Sequence, residues 1–211
     1  MDDNKENRQY SEMLRAAAER IGGIDIAAKC AYAGAEYDAV KKEITVESFG
    51  VGSVISLPSC TCFPPLHIWQ HLSILQYLEA VGPGESLEIW GSLADLPEGG
   101  HVRGASFDRE VDGFISRRLG LHTPGEIIKA VECLGGEIRE DPKADLSAVF
   151  RFMPGYPFLL NMWFSDDEFP ASGKILIDRS VSMFLGTEAN GTLASMLAEM
   201  LCDAADEIED R

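Results

Sequence analysis

At 211 residues, 45% of them hydrophobic, the chain is long enough to bury a sizeable core. Its 18 basic against 35 acidic residues leave a formal charge of −17, which repels phosphate backbones and anionic membrane surfaces and argues against nucleic acid as a partner. No apolar run approaches the roughly 20 residues of a membrane helix, no secretory leader pattern opens the chain, and five scattered cysteines suit reduced thiols, so a cytoplasmic protein with no membrane partner is expected.

The acidic ends, residues 1–9 and 203–211, read as a disordered N-terminus and a solvated C-terminal tail around one domain over 10–202. Within that domain, residues 10–21 place Met13, Ala17 and Ile21 on one helical face before Gly22-Gly23, and 24–33 read as a second helix stopped by Gly34. From Glu36 to Leu57 the period shifts to two, predicting a hairpin with Gly50 and Gly52 at its bend. Prolines bracket a loop, Ser59 to Phe63, and a strongly apolar helix follows over Leu66–Val81, with Pro65 at its first position.

Ser86 to Trp90 reads as a short strand. Helices are expected over 106–119, capped by Ser106, and over 123–134, started by Thr123, Pro124 and Glu126. A strand near Ile138 precedes the linker Asp141–Asp145 and a strand over Leu146–Met153. The stretch Met153–Glu188, around which the chain is organised, adds apolar runs at Phe158–Phe164 and Ile175–Ile177, both with carboxylates at their ends. A last helix runs over about Ala189–Ile208. The fold class expected is α+β, a single mixed domain whose central antiparallel or mixed sheet carries helices packed on it.

Pro154-Gly155-Tyr156-Pro157, Trp163, Asp167 through Ser172, Leu176-Ile177-Asp178 and Thr187-Glu188 follow one another in an order that resembles a prokaryotic family, domain of unknown function family 3786, found mostly in anaerobes. Upstream, Ile74 through Leu78 looks like that family's leucine-rich helix ending in a Tyr-Leu pair, Leu96 through Gly100 like its turn, and Leu134-Gly135-Gly136 like its approach to the sheet. The likeness spans roughly residues 65–200 and supports the fold class. Members often carry a histidine before the Tyr-Leu pair; here Gln76 stands there, so no role of that histidine carries over. The resemblance implies work in anaerobic metabolism and names no activity or cofactor.

Two constellations bear on chemistry. Asp166, Asp167, Glu168 and Asp178 supply hard oxygen ligands at two strand ends, a set suited to Mg²⁺ or Ca²⁺; the alternative is an acidic turn facing water, with Glu168 or Asp178 holding backbone N–H groups. Cys60, Cys62, His67 and His71 are a zinc-type ligand set, with the two histidines one helical turn apart. The tight C-x-C spacing and Pro64-Pro65 favour instead buried thiols and surface imidazoles. A cysteine nucleophile with a histidine base, His101 and His122 included, has no supporting signature. Arg103 and Arg109 either meet an anionic ligand or pair with the many acids, and Trp69, Trp90 and Trp163 either line a pocket or fill core, two of them lying in strongly apolar segments.

With no complete catalytic constellation in view, the expected function is an accessory, non-catalytic protein that binds a small ligand, a cofactor or a partner protein. The competing expectation is a metal-dependent hydrolase using the carboxylates.

Overall fold

The structure, a computed structural model, describes the backbone of residues 3–97 and 99–209 and the side chains of 8–97 and 99–208. The expected tail residues 1–2 and 210–211, and Glu98 in the expected turn, lie outside those described. The chain is α+β, and its described residues form two compact units, each with its own antiparallel sheet.

The first unit comprises residues up to Gly84 together with Met153–Gly155. Its helix α1 (Asp3–Ile21) starts well before Tyr10, because the polar residues ahead of it extend the helix rather than fraying. Helix α2 (Ile26–Ala33) is capped by Asp25, whose carboxylate accepts from Ala28 N–H at 3.2 Å, and ends on Gly34 at φ +70°. A Cβ there would meet Pro154 at 2.8 Å, so glycine is required both for its backbone angle and for the close approach.

Strands β1 (Glu36–Asp38), β2 (Glu43–Ser48), β3 (Val51–Ser56) and β4 (Thr61–Phe63) pair in chain order. The expected hairpin is β2–β3, with Ile44 opposite Ile55 on the buried face and Phe49-Gly50 as its two-residue turn, both at positive φ. The segment read as a loop, Ser59 to Phe63, instead supplies β4: Cys60 at φ +55° turns the chain back so that Cys62 pairs with Ile55. Helix α3 (Ile68–Ala80) buries Ile74, Leu75, Tyr77 and Leu78, as its apolar content predicts. It starts three residues after Pro65, with His67 as its cap. Gln70 Nε2 donates to Ser48 Oγ at 2.9 Å and to its carbonyl at 3.2 Å, tying α3 to the end of β2.

The second unit comprises Glu85–Phe152 and Tyr156–Arg211. Its sheet contains β5 (Trp90–Gly91), β6 (Glu137–Arg139), β7 (Leu146–Met153), β8 (Tyr156–Trp163) and β9 (Ser172–Asp178), in the order β5-β9-β8-β7-β6. The continuous apolar runs of β7 and β8 are buried at nearly every position, Phe150, Phe152, Phe158 and Leu160 completely. Of the strand read at Ser86–Trp90 only Trp90 lies in β5, which runs on to Gly91, because Asp178 occupies the N–H groups of Glu88 and Ile89.

Helices α4 (Ala105–Arg117), α5 (Pro124–Cys133) and α6 (Thr187–Glu209) complete the unit, with α4 against β9 and α5 and α4 against α6. Thr123 and Glu126 form the expected capping box of α5. Ser106 is not a cap: Gly100–Gly104 forms a wide helical turn leading directly into α4. A Cβ at Gly104 would lie 2.0 Å from the Leu93 carbonyl oxygen, which explains the glycine. The acidic stretch from Asp203 extends α6 instead of forming a tail, since Asp206 meets the Arg118 guanidinium and lies 2.9 Å from His122 Nε2. Cys30, Cys60 and Cys202 are buried, and all five cysteines are free; burial pushes the Cys30 and Cys202 thiols up to about 11. No helix among the described residues is long and apolar enough to cross a membrane.

Candidate functional site

The four acids proposed as a metal set do not come together. β8 and β9 are antiparallel, with Trp163 opposite Ser172 and Phe158 opposite Ile177. Asp166, Asp167 and Glu168 therefore sit in the loop that enters β9, whereas Asp178 sits at its far end, seven strand residues on and roughly 20 Å away. Asp166 Oδ1 accepts from the N–H groups of Glu168 at 2.8 Å and Phe169 at 2.7 Å, and these bonds hold its carboxyl below the ordinary range. Asp167 and Glu168 are exposed.

Asp178 is 1% exposed and belongs to the protein's own framework. Its carboxylate accepts from Ser86 Oγ (2.6 Å), Glu88 N (3.0 Å), Ile89 N (3.0 Å), Ser180 N (2.9 Å) and Ser180 Oγ (2.7 Å). Burial opposes its ionisation, but the hydroxyl and N–H donors from Ser86, Ser180 and Glu88 outweigh that, so its pKa lies below the usual carboxylate value. A carboxylate so occupied has no lone pair to spare for a cation.

The cysteine and histidine set does not assemble as a ligand group either, although the Cys60 backbone reaches the His71 ring. His67 is exposed, and its Nδ1 accepts from Trp69 N–H at 3.4 Å as the cap of α3. His71 is 1% exposed, with Nδ1 lying 2.7 Å from the Tyr10 hydroxyl and Nε2 enclosed without a hydrogen bond. Burial lowers its pKa against a weaker opposing pull from the Cys60 backbone. Cys60 is fully buried and Cys62 Sγ lies 3.5 Å from the Pro64 carbonyl. The expected one-turn spacing of two helical histidines fails because the helix begins after His67. Among the described residues no group of three or more His, Cys, Asp or Glu is placed to hold a metal ion.

Arg103 pairs with an acid, one of the two fates open to it: its Nε and Nη2 reach Glu188 at 2.6 and 2.8 Å, and its guanidinium lies 5.2 Å from the Phe107 ring centroid. Arg109 donates from Nε to the Ala105 carbonyl at 3.1 Å. None of the three tryptophans is fully buried; Trp69 is 44% exposed, because the core stripe of α3 runs through Ile74, Tyr77 and Leu78 and Trp69 falls off it. With Tyr10, Met13 and His67 it lines a pocket of about 230 Å³ in the first unit.

A larger cleft, about 590 Å³, opens in the second unit where β9 ends and α6 begins. Ile89, Leu96, Pro97, Met183 and Leu185 give it apolar walls, while Asp95, Arg179, Ser180, Ser182 and Thr187 contribute polar groups. Asp178 shapes it by clamping the segment 86–89 to the segment 178–180, and the Ser180 hydroxyl also accepts from Leu87 N–H at 2.9 Å. Asp95 Oδ2 accepts from Ser92 N–H at 2.8 Å and Ser92 Oγ at 3.1 Å.

Arg179 is exposed, and its stem crosses Gly91, where a Cβ would meet its Cδ at 2.5 Å. Among the described residues its guanidinium has neither an ion pair nor a hydrogen bond. In the sequence this residue carries no motif. Its one signal is a basic side chain directly after a strand-ending acid, in a chain where bases are outnumbered about two to one.

No curated protein and no solved structure matches the chain. A family model does, over residues 25–200, covering the first unit from α2 onward and the cleft with the start and most of α6. By that match the chain belongs to the family described as Domain of unknown function (DUF3786).

Proposed function

We propose that this is a cytoplasmic, non-catalytic accessory protein that binds a small organic ligand in the cleft at the end of β9. The cleft itself carries the reading. Its volume of about 590 Å³ falls within the roughly 300–1,000 Å³ of small-molecule sites, and its apolar walls with a few polar groups follow their usual composition. The Asp178 clamp favours a pre-formed site, which lowers the ordering cost of binding. Its serines are already engaged, Ser180 with Asp178 and Ser182 with the Arg179 carbonyl, which suits holding a ligand better than attacking one. Five free thiols fit a reducing compartment.

The test is thermal denaturation against a panel of small organic molecules, using the protein and a Gly186→Trp variant. A Cβ at Gly186 meets nothing within 4 Å, so the indole can occupy the cleft without disturbing the backbone. At least one compound should stabilise the protein, by about 2.7 kcal/mol at a hundredfold excess over its Kd, and leave the variant unchanged. Equal stabilisation of both proteins, or of neither, would sink the reading.

A further inference from the structure

Resting on that reading, we infer that the ligand is an amphipathic monocarboxylate, its acid group held by Arg179 and its apolar body lying against Ile89, Leu96 and Met183. Arg179 is a cation that its own protein does not use. In a chain of formal charge −17, an arginine has many acids to choose from, and Arg103, Arg118 and Arg139 are all engaged by carboxylates. Arg179 is not, although Asp95 is close by: a Cβ at Gly91 would lie 2.5 Å from Arg179 Cδ and 3.1 Å from Asp95 Oδ2. The Asp95 oxygen is turned to Ser92, and no ion pair forms between the two cleft charges. The guanidinium therefore remains open at the polar side of a cleft whose other side is apolar.

The charge count limits what it binds. A nucleotide or other polyanion needs several cations, whereas this cleft offers one, with an aspartate beside it. A planar carboxylate is the single-charge group that a guanidinium fork matches with two parallel hydrogen bonds. Ile89 and Met183 are 50% and 75% exposed, and covering such side chains is what an apolar ligand body provides.

The experiment compares 11-(dansylamino)undecanoic acid with its methyl ester, two fluorescent probes that share a body and differ in charge. Titrations use the full chain, Arg179→Met, which keeps the apolar stem over Gly91, and Gly186→Trp. The acid should bind about tenfold more tightly than the ester, Arg179→Met should bring the acid down to the ester's affinity without changing the ester, and Gly186→Trp should weaken both. Equal affinities for acid and ester, unaltered by Arg179→Met but lost in Gly186→Trp, would overturn the carboxylate inference and leave the cleft standing. Failure of both probes to bind, or binding that Gly186→Trp does not touch, would overturn the cleft reading and this inference with it.

Discussion

Asp178 joins three levels of the molecule in one side chain. It terminates β9, it accepts five hydrogen bonds, three of which fold the 86–89 segment back on the sheet, and it thereby forms the frame of the cleft. Because its folded pKa lies below its unfolded value of about 3.9, its contribution to stability is fully present above that pH and is lost as the pH falls through the folded value. Asp178→Asn removes the charge and turns amide hydrogens toward donors. It should cost roughly 2–4 kcal/mol in urea unfolding at pH 7, with a smaller difference from the parent below about pH 4. A variant whose deficit is the same at both pH values would show that the carboxylate's charge is irrelevant.

Residue identity alone marked Asp178 as chemically notable and could not say which role it plays. The same side chain can ligate a metal or cap a loop, and the choice depends on Ser86 and Glu88, some ninety residues away in sequence. Arg103 illustrates the converse. Its two possible fates were visible in the sequence, but its selection of Glu188 required α6 to return beside α4.

At the level of elements, local signals did most of the work. Thr123, Pro124 and Glu126 specify the start of α5 by chemistry contained within four residues, so the structure reproduces them directly. Thr123→Ala should destabilise the protein by about 1 kcal/mol, read as a lower urea midpoint at unchanged m-value, while Thr123→Ser should keep most of the stability. Elements that depend on distant partners were harder to see. β4 hides in a five-residue segment read as a loop and exists because β3 offers it an edge, and β5 is two residues long because a side chain consumes the N–H groups that would have extended it. The start of α3 moved for a related reason: His67 turns its ring to the helix as a cap, which removes it from the face it was expected to share with His71.

For the whole molecule, the antiparallel return of β9 decides against a shared carboxylate site, since it carries Asp178 to the opposite end of the sheet from Asp166. His67 is turned to its helix as a cap, His71 is buried against Tyr10, and no metal-holding group forms with Cys60 and Cys62 among the described residues. Adding EDTA should therefore leave the melting temperature within about 1 °C of that of untreated protein, and elemental analysis after untagged purification should find well under one equivalent of zinc. A melting temperature that falls by several degrees with EDTA would show that a metal contributes to folding despite this arrangement.

The sequence by itself determined the α+β class, the family, the buried strands β7 and β8, the β2–β3 hairpin and the helices, because periodicity, capping and turn chemistry act over a few residues. Only the tertiary structure decided that there are two sheets in two compact units, that Asp166, Asp178 and His67 are spent on backbone N–H groups, and that the cleft lies between the end of β9 and the start of α6. Those outcomes depend on strand direction and on which donors reach which acceptors across tens of residues, and a one-dimensional pattern of apolar and polar positions leaves both open.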